Sequence, residues 1–170
     1  MEFFKNKLLI IFSSLLCFSC GENQEVEETR KYDDYADFSF NDVTTMYELE
    51  GDHYYIEFYS VTCPHCENLK TSLFNYLDKY KEDKAETKVY IFDAHHSESD
   101  VGKSVRNNFK VKPENFVREN LIAEMKENSV SSVSDTYWFS IPSLYEIKNG
   151  EFVSLTLGST DIAKKYSEFN

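Results

Sequence analysis

Two cysteines, Cys63 and Cys66, stand three positions apart with Pro64 and His65 between them, directly after the run Glu57-Phe58-Tyr59-Ser60-Val61-Thr62. Cysteines at that spacing lie one helical turn from each other, so a bridge between them can open and close, and a thiolate at the first can attack a disulfide elsewhere. A bridge closing so short a loop removes little entropy from the unfolded chain, which makes the pair better suited to exchange than to structural stapling. Glu57 adds an acid at an inward-facing strand position, where a carboxylate is costly unless it is paired or protonated. These residue types point to thiol–disulfide exchange.

The flanking pattern of apolar residues outlines the strands and helices around the cysteines. His53 to Ser60 is apolar on both faces, as expected of a strand in the middle of a sheet. Pro64 suits the first position of a helix, and Leu69, Leu73, Tyr76, Leu77 and Tyr80 continue from Cys66 at spacings of three and four. Cys66 is therefore expected on the buried stripe and Cys63 at the exposed helix end. Lys88 to Phe92 is the next strand and closes a β-α-β unit with a right-handed crossover. Asn41 to Leu49 is read as a helix, and the excursion from His95 to Thr136 as a helical insertion. In that insertion Pro113 is expected to open a helix with Val117, Leu121 and Met125 along one face. Trp138 to Lys148 and Phe152 to Leu157 flank Asn149-Gly150, a dipeptide suited to a type I′ hairpin turn, and Thr160 to Phe169 can form a closing helix. The fold class is α/β: a central mixed sheet flanked by helices, with a helical insertion before the last hairpin.

With these residues in view, the chain resembles the thioredoxin superfamily, and around the cysteines most resembles its DsbA-type members. Glu57-Phe58, Ser60 and Cys63-Pro64-His65-Cys66 carry that likeness, while Ile141-Pro142-Ser143-Leu144 and Lys148-Asn149-Gly150-Glu151 resemble the superfamily's cis-proline loop and final hairpin. The likeness runs in order through most of residues 50 to 160. Two departures stand out: the insertion is shorter than a full DsbA helical domain, and the hairpin region is closer to thioredoxin. The resemblance implies a thioredoxin-like fold, with the helical insertion lying before the cis-proline strand.

At a helix N-terminus unpaired N–H groups and the macrodipole favour negative charge, so Cys63 is expected to be the thiolate nucleophile. Thiols in such motifs ionise between roughly pH 3.5 and 7, against about 8.5 for a free cysteine. Cys66 is expected to stay protonated until it resolves the mixed disulfide, and Cys63 and Cys66 then form the redox-active disulfide. His65 places a donor, and when protonated a charge, beside the thiolate, which favours the reduced form and makes the disulfide more oxidising. The resemblance implies that Glu57 shuttles a proton for Cys66. It further implies that Pro142, if cis, presents the backbone of Ile141 to an extended substrate beside Cys63.

The same residues admit rival chemistries. A Cys-x-x-Cys pair can be half of a zinc site, completed in principle from His53, His65, His95 and His96, but there is no second such pair and Pro64 favours the redox geometry. No metal and no cofactor is called for. His95 and His96 follow the second strand and are expected at the active-site end of the sheet, in a solvated loop or tuning the Cys63 thiolate. The fold permits either a dithiol oxidase or isomerase, which His65 favours, or a membrane-tethered reductase of the kind that keeps cytochrome c maturation thiols reduced. A non-enzymatic binding lipoprotein is the remaining reading.

The ends of the chain bear on its location. Lys5 and Lys7 precede an apolar run from Leu8 to Phe18 that is too short to span a hydrocarbon core of about 30 Å, so residues 1–19 read as a signal peptide. Cys17-Phe18-Ser19-Cys20 resembles a bacterial lipobox, with Cys17 where leucine is usual, and the resemblance implies lipidation at Cys20 and an exported, membrane-anchored lipoprotein. Of four cysteines one is then discarded, one is lipidated, and one pair remains at Cys63 and Cys66. Residues 20–36, acidic and poor in aliphatics, read as a solvated linker, and 37–170 as the folded domain. The formal charge of −12 becomes one unit more negative without Glu2, Lys5 and Lys7, which excludes nucleic acid as a partner. The expected partners are exported protein thiols and disulfides, together with a membrane redox partner that resets the cysteines.

Overall fold

The computed structural model describes residues 28–96 and 98–169. The signal peptide, Cys20 and the first part of the acidic segment lie outside them. Four strands form one mixed sheet: β1 (His53–Tyr59), β2 (Lys88–Asp93), β3 (Ser143–Lys148) and β4 (Glu151–Leu157). Their spatial order is β2-β1-β3-β4, with β1 and β2 parallel and both later pairs antiparallel. The helices are α1 (Pro64–Glu67), α2 (Lys70–Lys81), α3 (Asp100–Arg106), α4 (Arg118–Glu127) and α5 (Ser159–Glu168). A β-α-β unit, a helical insertion, an antiparallel hairpin and a closing helix, arranged on that strand order, make the fold thioredoxin-like. Among the described residues no helix is long and apolar enough to cross a membrane.

β1 is central because it is hydrogen-bonded on both edges, and its two faces are both buried. Side chains alternate along a strand, so Tyr54, Ile56 and Phe58 enter one core with Phe92, Met125 and Tyr145. Tyr55 and Tyr59 enter the other, with Leu69, Leu73, Phe74 and Leu77 from the α1–α2 region and Ile162 and Tyr166 from α5. Glu57 lies between Tyr55 and Tyr59 on this second face. The alternation alone therefore places its carboxyl under the helix that carries the cysteines.

The hairpin of β3 and β4 turns at Asn149 and Gly150, whose φ values of 53° and 74° are those of a type I′ turn. α2 buries Leu73, Tyr76 and Leu77 on one stripe, and α5 buries Ile162 and Tyr166.

Four sequence expectations are corrected. The linker does not extend to residue 36: Tyr32–Phe38 is a 3₁₀ helix with Tyr32, Tyr35 and Phe38 buried. Three residues per turn put positions 32, 35 and 38 on one side, where Tyr32 and Tyr35 pack on Phe74 with centroids 5.2 and 4.6 Å away. Arg30 pins the same segment to α2 through Asp78 at 2.7 Å and Asn75 at 2.9 Å. Asn41 to Leu49 forms only the single turn Val43–Thr45, capped by the side chain of Asp42.

Pro113 does not open a helix. α4 starts at Arg118, with Val117 extended as its cap and 53% exposed, so of the expected face only Leu121 and Met125 are buried. Phe116 is held instead against the ring of Phe139, and Lys112 lies over both rings. The strand expected from Trp138 begins only at Ser143, because Pro142 has no N–H to donate to a ladder. Trp138 packs edge-on against Phe58, 5.3 Å between centroids.

Candidate active site

Cys63 is delivered by the end of β1. Ser60 is buried, and its hydroxyl lies 3.1 Å from that of Thr62 and accepts from the Thr62 N–H at 3.3 Å. The Cys63 N–H then donates to the Ser60 carbonyl at 3.0 Å, closing a turn that stops the strand. Cys63 is the N-cap of α1 with extended backbone (φ −93°, ψ 117°) and Pro64 follows at the first helical position, where its missing N–H has no partner to lose. The Cys63 carbonyl accepts from the N–H groups of Cys66 and Glu67 at 3.0 and 3.1 Å, while its sulfur makes no capping hydrogen bond.

Both cysteines are free thiols, Cys63 half-buried and Cys66 fully buried. Burial pushes the Cys66 thiol well above its ordinary range, and the neighbouring Cys63 thiol and Glu57 push in the same direction. Pro64 and His65 are exposed at the helix end, next to Val61, which is 62% exposed. α1 is separated from α2 by Asn68 and Leu69, both still in right-handed helical conformation, so the backbone turns without breaking.

Glu57 is completely buried. Desolvation pushes its carboxyl from the ordinary 4.5 up to about 8, against the opposing effect of a hydrogen bond from Tyr166. The Tyr166 hydroxyl donates to Oε2, whereas Oε1 has no hydrogen-bond partner among the described residues. Tyr166 is a site residue that sequence reasoning missed. Its signal was its place one turn after Ile162 on the apolar stripe of α5, where a buried tyrosine tip needs a polar partner.

The Ile141–Pro142 peptide bond is cis. Pro142 is buried, and its carbonyl accepts from the Gly158 N–H at 3.2 Å, tying the loop to the start of α5. Ile141 touches both cores, and on the α2/α5 side it shares a cluster with Cys63. Cys63, Cys66, Glu57 and Ile141 are thus brought to one region.

The histidines divide. His95 and His96 follow β2 at the end of the sheet that carries Cys63, since Ala94 donates to the carbonyl of Tyr59 at 2.8 Å. Their polar atoms serve the local turn: the His95 N–H donates to Asp93, and His96 Nδ1 accepts from the Glu98 N–H. His53, 3.0 Å from Glu146, lies at the opposite end of β1. Among the described residues no three His, Cys, Asp or Glu side chains are grouped to hold a metal ion.

The sequence matches no known family model and no curated protein. Among solved structures it is similar to the oxidised mitochondrial thioredoxin 3 of Saccharomyces cerevisiae, 15% identical over 70% of this chain and 80% of that one, with a TM-score of 0.38. It is similar also to the thioredoxin of Aeropyrum pernix, 18% identical over 68% and 71% of the two chains, TM-score 0.36. A third is a thiol:disulfide interchange protein of the thioredoxin family from Chlorobium tepidum TLS, 13% identical over 71% and 81%, TM-score 0.35. The fold stands on its own strand order and register.

Proposed function

We propose that this protein is an extracytoplasmic thiol–disulfide oxidoreductase that exchanges or introduces disulfides in exported proteins through Cys63 and Cys66. The observation that carries the reading is the asymmetry of the pair: a half-buried free thiol caps a helix, and a fully buried one follows a turn later over a buried acid. In the reductive direction Cys63 Sγ attacks the substrate disulfide and frees one substrate thiolate, and Cys66 then attacks Cys63, closing the bridge and freeing the second. In the oxidative direction a substrate thiolate attacks Cys63 of the bridge, Cys66 leaves in that step, and a second substrate thiolate displaces Cys63 from the mixed disulfide. Burial keeps Cys66 protonated, which stops it from competing as the first nucleophile. Pro142 and Ile141 border the site and are assigned to substrate contact.

His65 supports an oxidising poise, because a donor beside the thiolate stabilises the reduced form. Anchoring through an acylated Cys20, and resetting of the pair by a membrane redox partner, complete the proposal. Both fit the lipobox-like Cys17-Phe18-Ser19-Cys20.

Equilibration of the Cys63–Cys66 couple against glutathione tests the reading. A reversible two-electron couple near the DsbA value of about −120 mV supports the oxidase, and one near the thioredoxin value of about −270 mV turns the assignment to a tethered reductase. If no reversible couple forms, the enzymatic reading is wrong.

A further inference from the structure

The carboxyl of Glu57 has two unequal oxygens. Oε2 accepts the hydroxyl of Tyr166, a residue of the closing helix, and Oε1 is buried without a hydrogen-bond partner among the described residues. Tyr166 is held in place from behind by Tyr76 of α2, whose ring stacks on it with centroids 5.6 Å and planes 16° apart. Tyr76 is fixed in turn by its own hydroxyl, which donates to the carbonyl of Thr87. Cys66 is buried in the same cluster as Tyr166, close enough to Glu57 to feel its charge.

We propose that Tyr166 is a positioning residue for thiol exchange: by occupying Oε2 it leaves Oε1 as the oxygen that exchanges a proton with the Cys66 thiol. The inference rests on the exchange reading above. A buried carboxylate oxygen with no donor is a poor place for negative charge and a good place for a proton, so protonation is directed to Oε1. In the reductive direction the Cys66 proton passes to Oε1 and Cys66 Sγ attacks Cys63 Sγ. The bond from Cys63 to the substrate sulfur breaks, and the substrate leaves as a thiolate with the electron pair. The cysteine pair is oxidised by two electrons, the substrate disulfide is reduced, and Glu57 holds the proton. The oxidative direction reverses each step.

The titratable groups packed around this carboxyl come from four elements. They are Tyr59 on β1, Cys66 on α1, Tyr166 on α5, and Tyr32 on the 3₁₀ helix, whose own hydroxyl is buried without a partner among the described residues. Tyr166 is the one that hydrogen-bonds to it. That bond favours the carboxylate, the form able to take a proton.

The test is Tyr166→Phe, which keeps the ring and removes the oxygen. Two quantities are followed against pH: the titration of Glu57 by carboxyl carbon NMR in the reduced protein, and the rate at which Cys66 releases a chromogenic aromatic thiolate from a mixed disulfide on Cys63. A hydrogen bond to a charged group predicts that both midpoints rise by about one pH unit in the variant, and that release at neutral pH slows by up to about tenfold. In a Glu57→Gln background the same substitution leaves the release profile unchanged. Unmoved midpoints accompanied only by a lower melting temperature, or a shift that persists in Glu57→Gln, overturn the proposal. Failure of any adduct to form on Cys63 overturns the exchange reading instead, and is told apart because the Glu57 titration is read without substrate.

Discussion

Tyr32 lies flat on Tyr59, with ring centroids 3.6 Å and planes 9° apart, so a residue from ahead of the first strand covers the last residue of the strand that delivers Cys63. The contact ties an acidic stretch of chain to the foundation of the site. Tyr32→Ala should therefore destabilise the domain by about 3 kcal/mol, the magnitude of an aromatic truncated in a packed core. Tyr32→Phe should do the opposite: its hydroxyl is buried without a partner among the described residues, and removing it should leave stability unchanged or raise it by up to about 1 kcal/mol. Urea unfolding of the two variants separates these outcomes; a Phe variant as unstable as the Ala variant would contradict the packing account.

Glu57 makes stability depend on pH in a definite direction. Its folded pKa, about 8, lies above the ordinary 4.5. Below the lower value both states are protonated and burial of the neutral acid is tolerated. As pH rises toward 8 the unfolded chain ionises while the folded one resists, so stability falls across this window by on the order of a few kcal/mol. Glu57→Gln should remove that slope and should be more stable than the parent at about pH 8, with the advantage shrinking toward about pH 4. Parallel stability curves for parent and variant would show that the acid is not desolvated in the fold.

Gly150 sits at φ 74° in the β3–β4 turn, a conformation that a side chain resists, although a Cβ there would meet only the Tyr47 carbonyl at an ordinary 3.6 Å. Gly150→Ala should lower stability by about 1 kcal/mol through backbone strain. Because the turn is at the end of the hairpin away from Pro142, the redox potential of the cysteines should stay where it was. Measuring melting temperature and potential together checks both halves of the expectation.

His65 is exposed between the two cysteines. His65→Ala should move the couple to a more negative potential, on the order of tens of millivolts, because the proposed oxidising poise is assigned to its ring. A potential that stays put or becomes more positive would remove the argument for an oxidising centre.

Much of the frame was legible because it is periodic. β1 could be placed at the centre of the sheet from its two apolar faces, α2 and the Cys66 stripe from three-and-four spacing, and the hairpin from Asn149-Gly150. The parts that escaped follow other rules. Tyr32, Tyr35 and Phe38 repeat every three residues, the period of a 3₁₀ turn, and are diluted among charges that suggested solvent. Pro113 gave a helix-start signal that was outweighed by the pairing of Phe116 with Phe139. Of the site, the residues close in sequence to the cysteines were accessible, as was the inward direction of Glu57. Its partner Tyr166 was not: its place on the buried stripe of α5 signals a tyrosine tip that needs a polar partner, but a contact across 109 positions does not show which partner that is.

In the proposed exchange Cys63 attacks and Cys66 resolves. Mixed-disulfide trapping tests it most directly: Cys66→Ala and Cys63→Ala variants are exposed to thiol- and disulfide-bearing polypeptides, and covalent adducts are resolved on non-reducing gels. Cys66→Ala is expected to accumulate adducts through Cys63 and Cys63→Ala to accumulate few, and reductant should release them. Equal trapping by the two variants, or none by either, would contradict that assignment.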